Sequence, residues 1–177
     1  VTIHNNFAEP WTVTVVDTGL DTMTGGRLKR VKEYIGDGSF MLTYGDGVCD
    51  IDLKKLYEFH RQHNKMVTLT AVQPGSRFGT LEIGESDLVE KFAEKKQEDG
   101  GWINGGFMVM EPEILEHIEG DRTVLEREPL EFAAMTDNLV AYRYKGFWQC
   151  MDTMRDKQYL EKLLAERKAP WMVWDKK

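Results

Sequence analysis

The stretch Phe40-Met41-Leu42-Thr43-Tyr44-Gly45-Asp46-Gly47 decides the predicted fold of this 177-residue chain. Mostly apolar residues lead directly into a Tyr-Gly-Asp-Gly corner, which predicts a buried strand that ends abruptly with a carboxylate at its tip. In open α/β sheets, ligands collect outside the carboxyl ends of the strands. An isolated acid between two glycines at that place suits a hard cation such as Mg²⁺. The alternative interpretation is an ordinary Asp-Gly turn that binds nothing.

The composition of the chain fits one globular domain, which we assign to residues 1–177. With 41% hydrophobic residues the chain can bury a core, and its net charge of −7 argues against nonspecific binding to nucleic acid or to an anionic membrane. No apolar run approaches the roughly 20 residues of a membrane span. Cys49 and Cys150 make no disulfide framework, which predicts a reducing, cytoplasmic location.

Strands and helices are predicted to alternate along the chain. The predicted strands are 12–16, 66–72, 102–110 and 139–144, and the predicted helices are 24–35, 53–63, 112–118, 129–135 and 154–167. A hairpin is predicted at 79–92, and a loop at 145–153. The strand before Asp46, the helix 53–63 and the strand 66–72 form a βαβ pattern, which implies parallel pairing of the two strands.

Two glycine pairs stand out along the chain. Gly25-Gly26 opens the helix 24–35, and such an N-terminus can offer free N–H groups to an anion, with Arg27 in the first turn reaching a phosphate. An exposed basic face is the alternative. Gly105-Gly106 interrupts the strand 102–110, which indicates a bulge or the close approach of a ligand or another backbone.

Several short segments, in their order and spacing, together resemble the sugar-phosphate nucleotidylyltransferases. The segments include Val16-Asp17-Thr18-Gly19, Met23-Thr24-Gly25-Gly26-Arg27, Thr43-Tyr44-Gly45-Asp46-Gly47, Ile103-Asn104-Gly105-Gly106-Phe107, Gly146-Phe147-Trp148-Gln149 and Met151-Asp152-Thr153. The resemblance implies an α/β fold: a Rossmann-like nucleotidyltransferase sheet, mostly parallel, with a β-hairpin insertion and flanking helices. It also implies a homo-oligomer.

The resemblance implies an enzyme that joins CTP to glucose 1-phosphate and releases pyrophosphate, giving CDP-glucose. Asp46 and Asp152 would hold the Mg²⁺ that bridges the reacting phosphates, and Lys95 would meet the sugar phosphate. The other implied substrate contacts are Thr22, Arg27 and Gly45 near the nucleotide and metal, and Gly79, Glu94, Asn104 and Gly105 near the sugar. This chain differs from the family motif Glu-Lys-Pro, since Lys96 stands in place of the proline.

If Asp46 and Asp152 converge on one ion, Cys49 and Cys150 come near each other, and we expect free thiols there because a Mg²⁺ site prefers oxygen. The tail 169–174 carries two tryptophans, and either packs back on the domain or forms part of an oligomer contact.

The Gly-rich loop of the family, Gly-Gly-x-Gly-Thr-Arg followed by Pro-Lys, does not occur in the 177 residues. We therefore expect this chain to be the C-terminal two-thirds of such an enzyme and to be poorly active alone. Three alternatives stay open: a non-catalytic module that binds sugar nucleotides, a transferase that uses dTTP or UTP, and a phosphate hydrolase. The hydrolase is disfavoured because no general base or nucleophile stands out near either acid.

Overall fold

A computed structural model describes residues 11–73, 79–83, 89–94 and 101–175. Its elements in chain order are α1 (Thr24–Arg30), α2 (Lys32–Ile35), β1 (Phe40–Leu42), β2 (Gly47–Cys49), α3 (Leu53–His63), β3 (Val67–Val72), β4 (Gly79–Ile83), β5 (Val89–Glu94), β6 (Ile103–Asn104), β7 (Met108–Met110), a 3₁₀ helix (Pro112–His117), α4 (Glu128–Met135), β8 (Leu139–Tyr144), β9 (Trp148–Cys150), α5 (Met154–Ala165) and a terminal 3₁₀ turn (Val173–Asp175). None of the described helices is long and apolar enough to cross a membrane.

The strand β3 lies at the centre of the main sheet. It pairs in parallel with β8 and antiparallel with β6 and β7, and β7 pairs antiparallel with β1. The strands β1, β3 and β8 therefore run in one direction, and their carboxyl ends share one edge of the sheet. The α/β class is confirmed, but the described sheet is mixed rather than mostly parallel. The predicted parallel pairing of β1 with β3 is wrong because β7 lies between them.

Helices cover both faces of this sheet. Successive side chains of a strand point to opposite faces, so Met108 and Met110 join one apolar cluster and Val109 joins another. The first cluster includes Leu28 of α1 and residues of α4 and of the 3₁₀ helix, and the second includes Leu56 of α3. Because the side chains of β7 alternate between the two faces, the sheet separates the core into two apolar clusters.

The helix α3 begins and ends where its sequence predicts. The Asp52 carboxylate accepts hydrogen bonds from the N–H groups of Lys54 and Lys55, and Asn64 ends the helix with a φ of 48°. Asp52 is therefore the N-cap residue of this helix. The helix α5 is likewise capped by Thr153.

A buried histidine joins α3 to the sheet. The side chain of His60 is 1% exposed, and its ring nitrogens lie 2.9 Å from Thr68 Oγ1 and 2.9 Å from Glu111 Oε1. Ser39 donates to the same Glu111 oxygen at 2.8 Å. Burial alone would raise the pKa of Glu111, but the hydrogen bonds from His60 and Ser39 outweigh burial, so its pKa lies below the ordinary value.

Two predicted elements differ from the structure at the start of the chain. Residues 12–16 form no strand within the described residues, and Val13 and Val15 are 76% and 91% exposed. β-Branched composition favours a strand only where a partner strand is present. The predicted helix 24–35 is broken at Val31, whose φ of −99° and ψ of 9° separate α1 from α2.

Most later elements match their predictions. The hairpin 79–92 is confirmed as the β4–β5 pair, while its turn, residues 84–88, lies outside the described residues. The predicted loop 145–153 instead contains β9. On α5, Leu160 is buried and Leu163 is half-buried, whereas Tyr159 and Leu164 are 46% and 51% exposed.

We expect Glu111→Gln to lower the free energy of unfolding by about 1 kcal/mol at pH 7, because a charged acceptor binds His60 and Ser39 more strongly than an amide does. The folded-state pKa of Glu111 is lowered, so its contribution is complete above the pKa of the unfolded chain and is lost as pH falls through the folded-state value. The difference between the two proteins in urea unfolding should therefore shrink below about pH 4. Glu113→Gln, at an exposed position of the 3₁₀ helix that follows Glu111, is the control. An equal loss in both variants would contradict the assignment.

Candidate active site

A short two-stranded ladder brings the segments of the two predicted acids together. The strand β2 pairs antiparallel with β9, with Gly47 opposite Cys150. One residue further on, the Met151 N–H donates to the Asp46 carbonyl at 2.8 Å. Asp46 therefore lies beside the peptide that leads directly to Asp152. Both acids are exposed, and Asp46 follows the carboxyl end of β1, where ligands of α/β sheets collect.

The start of α5 fixes the chain immediately after Asp152. The Thr153 hydroxyl accepts from the Asp156 N–H, and the Asp156 carboxylate accepts from the Thr153 N–H, which completes a capping box. On the other side of the acid, the Cys150 thiol donates to Asp152 Oδ2 at 3.2 Å. The backbone and one oxygen of Asp152 are thus held by its neighbours.

Asp50 clamps the opposite end of the ladder. Its Oδ1 accepts from the Phe147 N–H at 2.8 Å and from the Tyr144 hydroxyl, and its own N–H donates to the Phe147 carbonyl at 3.2 Å. Burial, and then the hydrogen bond to Asp50, raise the pKa of Tyr144, so this hydroxyl stays a donor at neutral pH. Gly146 leaves room for the contact, because a Cβ there would lie 2.2 Å from the Tyr144 hydroxyl oxygen.

The second glycine pair forms a bulge between β6 and β7, as predicted. The Gly105 N–H donates to the Thr70 carbonyl at 2.8 Å, and Gly106 has a φ of 72°. A Cβ on Gly105 would lie 2.9 Å from both γ-carbons of Val72, so close packing against β3 requires glycine there. Gly105 is buried, whereas its neighbour Asn104 is half-buried.

The first glycine pair serves packing rather than anion binding. The N–H groups of Gly25 and Gly26 both donate to the Thr123 carbonyl, at 3.0 and 3.3 Å. A Cβ on Gly26 would lie 2.6 Å from Asp121 Cα. The prediction of free N–H groups at the start of α1 is therefore wrong, since the loop that precedes α4 occupies them.

Thr22 and Arg27, the nucleotide-side residues implied by the resemblance, lie around the turn before α1. Thr22 is buried, whereas Arg27 is exposed. The Arg27 guanidinium donates to Thr18 Oγ1 at 2.7 Å and to the Leu20 carbonyl at 3.0 Å. Arg27 therefore holds this turn, and a phosphate contact would share or replace those hydrogen bonds. The nucleotide roles of both residues stay predictions.

The remaining sugar-side residues lie on the β4–β5 hairpin or next to it. Gly79 and Glu94 are Cα partners at the open end of the hairpin, so the structure places these two predicted contacts together. Lys95 lies outside the described residues. The roles of these residues and of Gly45 stay predictions.

Sequence reasoning missed Glu126. Its Oε2 accepts from the Thr24 hydroxyl at 2.7 Å, and its Oε1 accepts from the Tyr44 hydroxyl at 2.7 Å. It therefore ties the start of α1 to the corner that presents Asp46. A single acid between two predicted elements carries no motif, so no signal in the sequence marks it.

The two cysteines converge, as predicted. Cys49 lies opposite Trp148 in the ladder, so Cys150 is its diagonal neighbour on the same face, and both cysteines are reduced and half-buried. Diagonal Cα atoms are roughly 7–8 Å apart, which exceeds the usual disulfide range of about 4.4–6.8 Å. Burial raises the pKa of Cys49 to about 11.

The two tryptophans of the tail 169–174 have different surroundings. The ring of Trp171 packs back on Phe147, with 5.5 Å between ring centroids. Trp174 is 66% exposed. Packing back on the domain is therefore confirmed for Trp171, and a subunit contact through Trp174 stays a prediction.

The family model described as Nucleotidyl transferase matches residues 17–156, which include both acids and the glycine bulge. The chain belongs to the nucleotidyl transferase family. Glucose-1-phosphate cytidylyltransferase of Salmonella typhi is 51% identical over 174 residues, which are 98% of this chain and 67% of that protein. The probable glucose-1-phosphate cytidylyltransferase of Bacillus subtilis (strain 168) is 39% identical over 167 residues, which are 94% of this chain and 65% of that protein.

A solved structure supports the same fold for this nucleotidyl transferase. The crystal structure of HddC from Yersinia pseudotuberculosis matches with a TM-score of 0.56 at 23% identity, covering 79% of this chain and 61% of that one. The chain spans about two thirds of the length of the curated relatives just named.

Substitution of two glycines of this nucleotidyl transferase by alanine should distinguish a glycine that packing requires from one that packing does not require. We expect Gly105→Ala to lower the free energy of unfolding by about 1–3 kcal/mol, because its Cβ would overpack Val72. Gly45→Ala should change it by less than about 0.5 kcal/mol, since no atom lies within 4 Å of a Cβ there. Urea unfolding of both variants measures this difference. Equal destabilisation would show that the corner is packed more tightly than the structure has it.

Proposed function

We propose that this nucleotidyl transferase transfers the cytidylyl group of CTP to glucose 1-phosphate. A phosphate oxygen of the sugar attacks the α-phosphorus in line, the bond from that phosphorus to the bridging oxygen breaks, and the electron pair leaves with pyrophosphate. The product is CDP-glucose. The observation that carries the proposal is the β2–β9 ladder, which places Asp46 beside the peptide leading to Asp152. The names of the two cytidylyltransferase relatives support the choice of substrates.

The donor atoms of these two acids fit a magnesium ion. Both are exposed carboxylates, and neither forms a salt bridge with another of the described residues. The described residues hold no group of three or more His, Cys, Asp or Glu that would enclose a metal. Mg²⁺ commonly binds one or two carboxylates and takes its other oxygens from phosphates and water. When bound, it would neutralise charge on the reacting phosphates.

The residues of the chain mainly position the two substrates, because this chemistry needs alignment and charge neutralisation rather than a covalent intermediate. We propose that Asn104 contacts the sugar with the amide hydrogen that its internal hydrogen bonds leave over. The N–H of Gly105 donates to Thr70 and its carbonyl accepts from the Trp148 indole, so a sugar contact there would use the second lone pair of this carbonyl oxygen. Glu94 and Lys95 would meet the sugar hydroxyls and the sugar phosphate.

We also propose that the 177 residues alone are poorly active. The segment before α1 exposes Trp11, Val13, Val15 and Leu20 by 78%, 76%, 91% and 93%. The strand β1 is paired on one side only within the described sheet, and Met41 in it is 48% exposed. Exposed apolar side chains and an open strand edge are both typical of surfaces that further chain covers. A strand added at the open edge of β1 would lie next to the segment that ends in Asp46. A cytoplasmic location and a homo-oligomer stay parts of this proposal.

The test is pyrophosphate release from CTP, glucose 1-phosphate and Mg²⁺, measured for the product of the complete reading frame and for this chain in parallel. We expect activity in the former, and a loss of at least about a hundredfold in Asp46→Asn and Asp152→Asn, because each removes a charged metal ligand. Asp137→Asn is the matched control, since this exposed residue has a φ of 57°, which asparagine tolerates.

Three other results would change the proposal. Faster turnover with dTTP or UTP than with CTP would correct the proposed nucleotide substrate. Binding of CDP-glucose without turnover of any of the three triphosphates would favour a non-catalytic module. Full activity in either aspartate variant would remove the metal role from that residue.

A further inference from the structure

The glycine bulge is held by one hydrogen bond from each of the two acid-bearing segments. The Trp148 indole Nε1 donates to the Gly105 carbonyl at 2.7 Å, and Trp148 belongs to β9, which leads to Asp152. On the other side, Asn104 Nδ2 donates to the Tyr44 hydroxyl at 3.1 Å, and Tyr44 stands two residues before Asp46. The bulge therefore touches both arms of the proposed metal site.

The two partners of the Tyr44 hydroxyl determine which hydrogen bond it donates and which it accepts. A carboxylate only accepts, so the Tyr44 hydroxyl must donate to Glu126 Oε1 and can accept from Asn104. Asn104 Oδ1 is in turn occupied by the Gly106 N–H at 2.9 Å. The orientation of the Asn104 amide is thus set from both ends.

The backbone of the bulge also needs this support. Gly106 and Phe107 have consecutive positive φ values of 72° and 42°, and a bulky residue such as phenylalanine rarely adopts the left-handed region without strain. The Thr70 hydroxyl donates to the Phe107 carbonyl at 2.7 Å, from the β3 side. A strained bulge keeps one geometry only where its surroundings impose it.

We propose that Tyr44 and Trp148 are positioning residues that set the Asn104–Gly105 edge of the sugar pocket at a fixed place relative to Asp46 and Asp152. Glu126 holds the Tyr44 hydroxyl in this arrangement. The proposal rests on the function proposed above, since it takes Asn104 and Gly105 as sugar contacts. It predicts that the two hydrogen bonds affect the sugar phosphate far more than the nucleotide.

The experiment removes each hydrogen bond and keeps a ring. Tyr44→Phe deletes the hydroxyl, and Trp148→Phe deletes the indole N–H, both in the product of the complete reading frame. We expect the Kd for glucose 1-phosphate, measured by calorimetry without turnover, to rise about three- to tenfold in each, which is the effect of one hydrogen bond. The KM for glucose 1-phosphate should rise similarly, while the KM for CTP stays within about twofold. Tyr159→Phe, at an exposed position, is the matched control.

Glu126 provides the rescue test. Glu126→Gln keeps an acceptor for Tyr44 and should behave like the unmodified protein, whereas Glu126→Ala should resemble Tyr44→Phe and add little to it in the double variant. An equal rise in both KM values, or unchanged sugar binding in both phenylalanine variants, would overturn the proposal. So would a complete protein that does not bind glucose 1-phosphate. Binding of glucose 1-phosphate without pyrophosphate release would overturn the proposed transfer alone, and the Kd values would still decide this inference.

Discussion

The pairing of β2 with β9 is the constraint on which the rest of the site depends. Three residues on each side form this ladder, so its register rests on few interactions. A slip by one residue would turn every side chain to the opposite face and would separate Asp46 from the peptide before Asp152. The Asp50 contacts to Phe147 hold one end, and the Met151 N–H bound to the Asp46 carbonyl holds the other. The register is therefore fixed by polar contacts at both ends rather than by strand length.

The glycines of this site are similar in sequence and different in function. Gly25, Gly26 and Gly105 lie where a Cβ would meet other atoms at less than 3 Å, so packing alone requires them. Gly45 faces open space, and nothing within the described structure accounts for a glycine there. Packing therefore does not require the glycine at Gly45, and its contact with a ligand stays a prediction.

Elements with their own periodicity could be predicted, and elements defined by distant pairing could not. The helix α3 has an apolar face and a capping aspartate, and β3 and β8 are six residues long, so local sequence determines them. The strands β2 and β9 are three residues each and exist because they pair with each other. Residues 12–16 show the converse, since they have the composition of a strand and no partner among the described residues. The convergence of Asp46 with Asp152 followed from resemblance and not from spacing, and Glu126 had no signal at all.

The mixed sheet has a direct consequence for the site. In a wholly parallel sheet, only the segments that leave the strands would meet at the carboxyl edge. Because β6 and β7 run against β1, β3 and β8, the bulge between them lies opposite Thr70 of β3, and the start of β7 pairs with the end of β1. The bulge therefore meets the corner after β1 and the strand β9, through Tyr44 and Trp148. The βαβ pattern gave no sign of the reversed strand β7. This strand is what allows the glycine bulge and the two acid-bearing segments to share one network of hydrogen bonds.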